Sequence, residues 1–199
     1  MTVPATETGR PGVLLDRDGT IIVDHGYVGS VERVDFIDGA AEAIASFNTA
    51  GIPVAVVTNQ AGVARGMYGI DDVIAVHQHI TGYLAERGAR IDMFVYCPYH
   101  PDGIVEAFAR TSEDRKPRPG MAKAAAARLS LDLTASWMVG DRPDDMGLAA
   151  AIGASGVYLS PGSLDSGTAT GPNVWTYPSL AAAAPFILNS ITSLERVSA

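Results

Sequence analysis

The sequence has a single cysteine, Cys97, and few basic residues. One cysteine cannot form a disulfide within one chain, so disulfide-dependent folds are excluded and a reducing compartment is favoured. Lysine and arginine total 14 against 22 acidic residues, a formal net charge of −8. Because nucleic acids and anionic membranes bind clustered basic residues, we expect neither as the main partner.

Long hydrophobic runs are also missing. No uniform apolar stretch approaches the roughly 20 residues that a membrane span needs, and the first eleven residues lack the basic start and apolar core of a signal peptide. We therefore expect a cytoplasmic protein. At 199 residues, 47% hydrophobic and 18% charged, the chain has the size and composition of one globular domain. We expect a loose tail over residues 1–12, a single domain over residues 13–199, and a monomer.

Apolar runs of strand length alternate with segments of helical period along the chain. This alternation predicts an α/β fold, a doubly wound parallel sheet with helices on both faces. Strands are predicted at residues 13–15, 53–57, 91–96, 137–139 and 156–159, and helices at residues 39–50, 71–87, from 119 onward, 148–152 and 180–194. The connections 20–38 and 98–118 have a length typical of functional loops.

Polar residues follow the apolar strands at the points where the strands end. Asp16, Thr58 and Asp141 stand at such ends, and ligands bind outside the carboxyl ends of strands in open α/β sheets. Asp16 and Asp18 are two apart, so in an extended backbone both can face one pocket, although a solvated turn would use the same residue types. Two carboxylates 4 Å apart repel by about 4 kcal/mol at an effective dielectric constant of 20. Converging carboxylates therefore take up protons or bind a hard cation, and oxygen ligands favour Mg²⁺.

A short cationic segment, residues 115–118, precedes a predicted helix and is stiffened by two prolines. It is one of the few dense cationic clusters in an acidic chain. Lys116 in this segment and the hydroxyl of Thr58 are groups that bind phosphate. A solvated basic loop is the alternative interpretation.

The order of these motifs, Asp-x-Asp-Gly-Thr, Thr-Asn, Lys-Pro and Gly-Asp-x-x-x-Asp, resembles the haloacid dehalogenase superfamily. Within it, the chain resembles the heptose bisphosphate phosphatases, and the segments that carry this match are 24–28, 36–39, 58–66, 97–101, 115–121 and 138–141. The resemblance covers about residues 14–159. It implies a Rossmann-like fold with little or no cap domain, and a Mg²⁺-dependent enzyme that removes the 7-phosphate from the small-molecule sugar bisphosphate D-glycero-D-manno-heptose 1,7-bisphosphate.

The resemblance also implies the roles of individual residues. Asp16 would be the nucleophile that becomes an aspartyl-phosphate, and Asp18 would act as general acid and then general base. Thr58 and Lys116 would hold the transferring phosphoryl group, and Asp145 would orient Lys116 or a metal-bound water.

Two further sets of contacts follow from the same resemblance. Mg²⁺ would be held by the Asp16 carboxylate, the main-chain carbonyl of Asp18 and Asp141. The residues expected to contact the sugar or its second phosphate are Asp24, His25, Gly26, Tyr27, Asn59, Gln60, Ala61, Arg115 and Arg142.

One family feature is missing from the sequence. Members of this family usually hold a structural zinc with a Cys-x-His pair and a Cys-x-Cys pair that just precedes Arg-Lys-Pro. The chain keeps Cys97, but Tyr99, Ser112 and Asp114 replace the other ligands. Because tetrahedral zinc prefers thiolate and imidazole, we expect no structural Zn²⁺, and loop 98–114 must be held by other contacts or be mobile. His100 is interpreted as a surface loop residue.

Two alternatives remain open at this stage. A phosphatase of another small metabolite, such as histidinol phosphate, would use the same chemistry, although segment 24–27 matches the heptose group better. A catalytically silent phosphate-binding module would normally have lost its acid/base carboxylate or its cation. Asp18 and Lys116 are both present, which favours an enzyme.

Overall fold

The computed structural model describes residues 9–162 and 167–198 and contains one mixed sheet. Its strands are β1 Val13–Leu15, β2 Val54–Asn59, β3 Met93–Cys97, β4 Trp137–Gly140, β5 Ser155–Leu159, β6 Thr168–Gly171 and β7 Val174–Tyr177. They lie in the order β3-β2-β1-β4-β5-β7-β6. Every neighbouring pair is parallel except β6 and β7, which form an antiparallel hairpin at one edge. The predicted α/β sheet is confirmed.

Helices cover both faces of this sheet. They are α1 Ala40–Thr49, α2 Ala61–Ala64, α3 Ile70–Ala85, α4 Gly120–Leu129, α5 Pro143–Ile152 and α6 Leu180–Ser198, with 3-10 turns at Val31–Arg33 and Leu133–Ala135. Strand β1 shows how the two cores form. Val13 and Leu15 pack with α1, α3 and α6, while Leu14 points to the opposite face and packs with α4 and α5. A strand buried on both faces needs an unbroken apolar sequence, which explains Val-Leu-Leu.

The five predicted strands are present, β1 with the predicted ends and the others with ends at most two residues from the predicted ones. Hairpin β6–β7 was not predicted, because Thr168–Gly171 is exposed along its whole length and carries no apolar pattern. Helix α5 begins at Pro143, earlier than the predicted residue 148. The Asp145 carboxylate accepts a hydrogen bond from the Arg142 amide at 2.9 Å. This bond satisfies a backbone N–H group at the start of the helix.

The start of the chain makes contacts before the predicted domain boundary at residue 13. Residues 1–8 of the predicted tail lie outside the described residues. Arg10 pairs with Leu131 in an isolated bridge, and the Gly12 amide donates to Ser136 Oγ at 2.9 Å. Residues 9–12 therefore run along the loop that leads into β4.

Two long connections flank the carboxyl edge of the sheet. Residues 98–119 contain no helix or strand, and residues 20–38 contain the turn Val31–Arg33 and an isolated bridge between Ile22 and Phe36. Neither forms a separate folded layer above the sheet, as the fold with little or no cap domain predicts. Among the described helices, none combines the length and apolar composition required to cross a bilayer.

Candidate active site

The carboxyl ends of β1, β2 and β4 meet at one crevice because β1 lies between the other two strands. Asp16 follows β1, Asp141 follows β4, and Asp145 lies in the first turn of α5. One carboxylate oxygen from each of these three residues lies within 4.8 Å of the others. The structure thus brings first-strand and fourth-strand aspartates to a single point, as the strand order of such sheets requires.

Lys116 lies among these carboxylates and is 3% exposed. Its Nζ is 2.8 Å from Asp16 Oδ1 and 2.7 Å from Asp145 Oδ1. Burial alone would lower the pKa of this lysine, but the two carboxylates raise it above its ordinary value. The Asn59 side chain fixes the lysine backbone, since its Oδ1 accepts from the Lys116 amide at 3.0 Å and its Nδ2 donates to the Lys116 carbonyl at 3.3 Å.

The carboxylate cluster still has an excess of negative charge. Burial and the neighbouring Asp16 raise the pKa of Asp141 to about 6. Burial and Asp16 also raise the pKa of Asp145 to about 7, although Lys116 opposes the shift. Asp141 Oδ1 is buried without a hydrogen-bond partner among the described residues. A buried, unpartnered carboxylate oxygen beside two further carboxylates fits a hard divalent cation such as Mg²⁺.

Gly19 allows the first and fourth strand ends to approach this closely. Its φ is +79°, and a Cβ at this position would lie 2.2 Å from Asp141 Oδ2. Any side chain here would both strain the backbone and displace Asp141. The glycine of the Asp-x-Asp-Gly-Thr motif is therefore required by the shape of the site.

The Asp18 carboxylate faces a different set of partners. Arg17 Nε donates to its Oδ2 at 3.1 Å and Arg17 Nη2 to its Oδ1 at 3.0 Å. Gln60 Nε2 also donates to Oδ2, at 3.0 Å. Burial raises the pKa of Asp18 above its ordinary value, and the Arg17 guanidinium opposes this rise. This carboxyl is held beside the Asp16 cluster without being part of it.

The crevice has a volume of about 480 Å³. The predicted site residues that line it are Asp16, Asp18, Asp24, Gly26, Tyr27, Thr58, Asn59, Gln60, Ala61, Arg115, Lys116 and Arg142. His25 is not among the lining residues, and the Nε2 of its exposed side chain lies 2.7 Å from Asp35 Oδ2. Asp141 lies in the carboxylate cluster beside the crevice.

Six residues at the site were not predicted as site residues: Arg17, and five that line the crevice, Val28, Tyr68, His100, Pro143 and Asp144. Arg17 is fully buried, and its place between Asp16 and Asp18 in the motif was the only signal that the sequence offered. Tyr68 and His100 line the crevice; Tyr68 gave no signal in the sequence pattern, and His100 lay in the matching segment 97–101 without being assigned a role. His100 lies on loop 98–114, and its half-buried side chain contacts Arg65 Nη2 at 3.5 Å.

The rim of the crevice is formed by residues 24–28 and the β4–α5 junction. Arg33 shapes this loop by donating to the carbonyls of His25, Gly26 and Tyr27. The Asp24 carboxylate pairs with the Arg142 guanidinium across the rim. The hydrogen bonds from Gly26 and Arg142 outweigh burial and lower the pKa of Asp24.

Hydrogen bonds and a cation–π contact hold loop 98–114 in place. The Arg110 guanidinium stacks over the Tyr99 ring at 4.0 Å, and the Asp114 amide donates to Ser112 Oγ at 3.1 Å. Arg118 Nη1 donates to the Ser112 carbonyl at 3.0 Å. Cys97 is buried, and this burial raises the pKa of its thiol.

The fold and the site define a hydrolase of the haloacid dehalogenase type. A family model described as HAD-hydrolase-like matches residues 114–183. The solved D,D-heptose 1,7-bisphosphate phosphatase from B. bronchiseptica, complexed with magnesium and phosphate, superimposes with a TM-score of 0.78 at 30% identity, covering 90% of this chain and 98% of that one.

Curated relatives narrow the class further. The D-glycero-beta-D-manno-heptose-1,7-bisphosphate 7-phosphatase of Yersinia pestis is 41% identical over 94% of this chain and 94% of its own length. The enzyme of the same name from Escherichia coli strain K12 is 39% identical over 94% of this chain and 92% of its own. The chain belongs to this heptose bisphosphate phosphatase family.

Proposed function

We propose that the protein is a Mg²⁺-dependent phosphomonoesterase that removes the 7-phosphate of D-glycero-D-manno-heptose 1,7-bisphosphate. The observation that carries this proposal is the group of Asp16, Asp141 and Asp145 around the buried Lys116 at the base of a crevice. The choice of substrate is supported by the activity that the names of its relatives describe.

In the nucleophile, Asp16, protein groups hold one carboxylate oxygen and leave the other available for attack. Asp16 Oδ1 accepts from the Arg17 amide at 2.7 Å and pairs with Lys116 at 2.8 Å. The other oxygen, Oδ2, attacks phosphorus as the bond between phosphorus and the sugar oxygen breaks, which gives an aspartyl-phosphate. Lys116 and the hydroxyl of Thr58 balance the negative charge on the phosphoryl oxygens during the transfer.

Asp18 moves the protons in both half-reactions. Its protonated carboxyl donates to the leaving sugar oxygen, and the resulting carboxylate then takes a proton from the water that attacks the aspartyl-phosphate. The balance between burial, which favours the protonated form, and Arg17, which favours the ionised form, suits a group that must hold and release a proton.

Asp16, the main-chain carbonyl of Asp18 and Asp141 would hold the Mg²⁺. When bound, the ion would offset the negative charge of the carboxylate cluster and of the phosphoryl oxygens. It would thereby reduce the repulsion between the Asp16 carboxylate and the phosphate that it attacks. Asp145 is buried against Lys116, so its role is to orient the lysine.

The remaining lining residues divide between substrate contact and positioning. Arg115, Arg142 and Tyr27 face the crevice beyond the carboxylate cluster, where they would contact the sugar and its second phosphate. Asn59 and Gln60 have their amides occupied by protein groups, so they act by positioning.

We also propose that the protein functions without zinc and as a monomer. The contacts between Tyr99 and Arg110 and those around Ser112 take over the fastening of the loop that presents Arg115 and Lys116. Elemental analysis that finds one tightly held zinc per chain, or a dimer in light scattering at assay concentration, would contradict these two proposals.

The substrate assignment is tested with a panel of heptose 1,7-bisphosphate anomers, fructose 1,6-bisphosphate and histidinol phosphate, ranked by kcat/KM. We expect a heptose bisphosphate to rank first, with activity that a chelator abolishes and Mg²⁺ restores. Asp16→Asn should be inactive, whereas the exposed Asp71→Asn should match the wild type. A higher kcat/KM for histidinol phosphate would replace the heptose assignment with the alternative phosphatase.

A further inference from the structure

A buried hydrogen-bond chain connects Tyr68 to the Asp18 carboxyl. We propose that Tyr68, through Gln60 and Arg17, is a positioning residue that holds Asp18 in the orientation needed to protonate the leaving oxygen. The inference rests on the phosphomonoesterase function proposed above. It deepens that function by adding a residue of the crevice wall whose hydroxyl donates to Gln60 and to none of the proposed metal ligands.

Arg17 is the residue of this hydrogen-bond chain that contacts both oxygens of the Asp18 carboxyl. It is fully buried, and a buried charge is strongly destabilising unless it is paired and hydrogen-bonded. Its Nε and Nη2 hold both oxygens of Asp18, and Nη2 also donates to the Val28 carbonyl at 2.7 Å and to Gln60 Oε1 at 3.1 Å. A two-point contact between guanidinium and carboxylate fixes the plane of the carboxyl group.

Gln60 is the second link, and its amide can adopt only one orientation. Nε2 donates to Asp18 Oδ2 at 3.0 Å and to Thr58 Oγ1 at 2.9 Å, while Oε1 accepts from Arg17 at 3.1 Å and from Tyr68 Oη at 2.8 Å. A flipped amide would set its two N–H groups against the Arg17 donors. Gln60 is 1% exposed, so a lost partner leaves a buried polar atom, which is costly.

Tyr68 is the last residue of this hydrogen-bond chain, and its ring is closely packed on both sides. A Cβ at Gly29 would lie 2.1 Å from its ring, and one at Gly62 would lie 2.2 Å away. The ring fits because neither Gly29, which follows rim residues 24–28, nor Gly62 of α2 has a side chain. Burial raises the pKa of the Tyr68 hydroxyl to about 12, so it remains a donor throughout the working pH range.

The consequence depends on the leaving group of the substrate. A sugar alkoxide leaves slowly unless Asp18 delivers a proton, whereas p-nitrophenolate is stable enough to leave without one. If Tyr68 acts through the orientation of Asp18, loss of its hydroxyl slows release of the sugar and leaves release of p-nitrophenolate unchanged. A general weakening of the fold would slow both reactions.

The test compares Tyr68→Phe with the wild type on heptose 1,7-bisphosphate and on p-nitrophenyl phosphate, each measured as kcat/KM. We expect a two- to tenfold loss on the sugar phosphate, about the effect of one ordinary hydrogen bond, and no change on the aryl phosphate. Tyr83→Phe removes a hydroxyl from a ring that stacks on Phe36 outside the crevice and should leave both values unchanged.

A double variant provides a second readout. When Asp18→Asn has removed the acid, adding Tyr68→Phe should cost nothing more, because the tyrosine then has no proton donor to position. Equal loss on the two substrates, no loss on either, or a further loss in the double variant would overturn the inference. Wild-type protein that hydrolyses neither substrate would overturn the proposed function and the inference together, which separates the two failures.

Discussion

Replacement of Lys116 by methionine tests whether this lysine balances the charge of the carboxylate cluster. The change removes the ammonium but keeps an unbranched side chain of similar length. The lysine Nζ lies within 2.8 Å of Asp16 and Asp145, a separation at which each direct attraction is about 6 kcal/mol at an effective dielectric constant of 20. Dehydration of the buried groups offsets most of this attraction, so the expected net loss of unfolding free energy is about 3–5 kcal/mol.

The loss of unfolding free energy caused by Lys116→Met should depend on pH. Asp141 and Asp145 have pKa values raised to about 6 and 7 in the folded protein, so folding binds protons and stability falls as pH rises from about 4 through 7. At pH 5 both carboxyls are largely protonated and need little compensation from Lys116. At pH 8 they are ionised in the wild type, and Lys116→Met removes the cation that the cluster then needs.

Thermal unfolding in chelator-containing buffer at pH 5 and pH 8 measures the effect. At about 2–4 °C per kcal/mol for a chain of this size, the full loss at pH 8 corresponds to a Tm lower by roughly 6–20 °C. Lys123→Met, at an exposed position of α4, is the matched control and should change stability by less than about 0.5 kcal/mol. A loss below about 1 kcal/mol at pH 8, or the same loss at both pH values, would refute the charge-balance reasoning.

Three further perturbations test other parts of the structure. Mg²⁺ should raise the Tm of the wild type more at pH 8 than at pH 5, since it binds ionised Asp141 while protons compete at low pH; equal increases would contradict this. Asp24→Asn breaks the rim pair with Arg142 and should raise KM while changing stability by less than about 1 kcal/mol in urea unfolding; a change confined to kcat would argue against a rim role. Phe47→Ala should cost about 3–5 kcal/mol in the same unfolding assay, because this side chain is fully buried in the core, and a loss below about 1 kcal/mol would show that the site collapses around the cavity.

The fold was predictable where burial leaves a mark on the sequence. Val13–Leu15 is apolar without interruption because both of its faces are covered, and this pattern also placed Asp16 at a strand end. Thr168–Gly171 is an exposed edge strand held by one neighbour, so no periodicity distinguished it from a loop. Hairpin formation at this edge depends on pairing with β7, which a local pattern does not encode.

The candidate site was predictable in its charged residues and much less so in its hydrogen bonds. The spacing of Asp16, Asp18 and Lys116 indicated a carboxylate site with a phosphate-binding cation. The orientation of the Gln60 amide depends on donors from Arg17 and Tyr68, which meet it only in the folded chain. Sequence reasoning therefore assigned Gln60 to substrate contact, whereas every polar position of its amide is used within the protein.

The nucleophilic role of Asp16 is the central claim, and trapping of the phosphorylated protein tests it most directly. Protein mixed with the sugar bisphosphate and quenched in acid within a turnover should carry one phosphoryl group on the peptide that contains Asp16, and hydroxylamine should remove it. Asp16→Asn should show no modification under the same conditions. Rapid hydrolysis by the wild type with no acyl phosphate at any quench time, or with the phosphoryl group on another residue, would contradict the account.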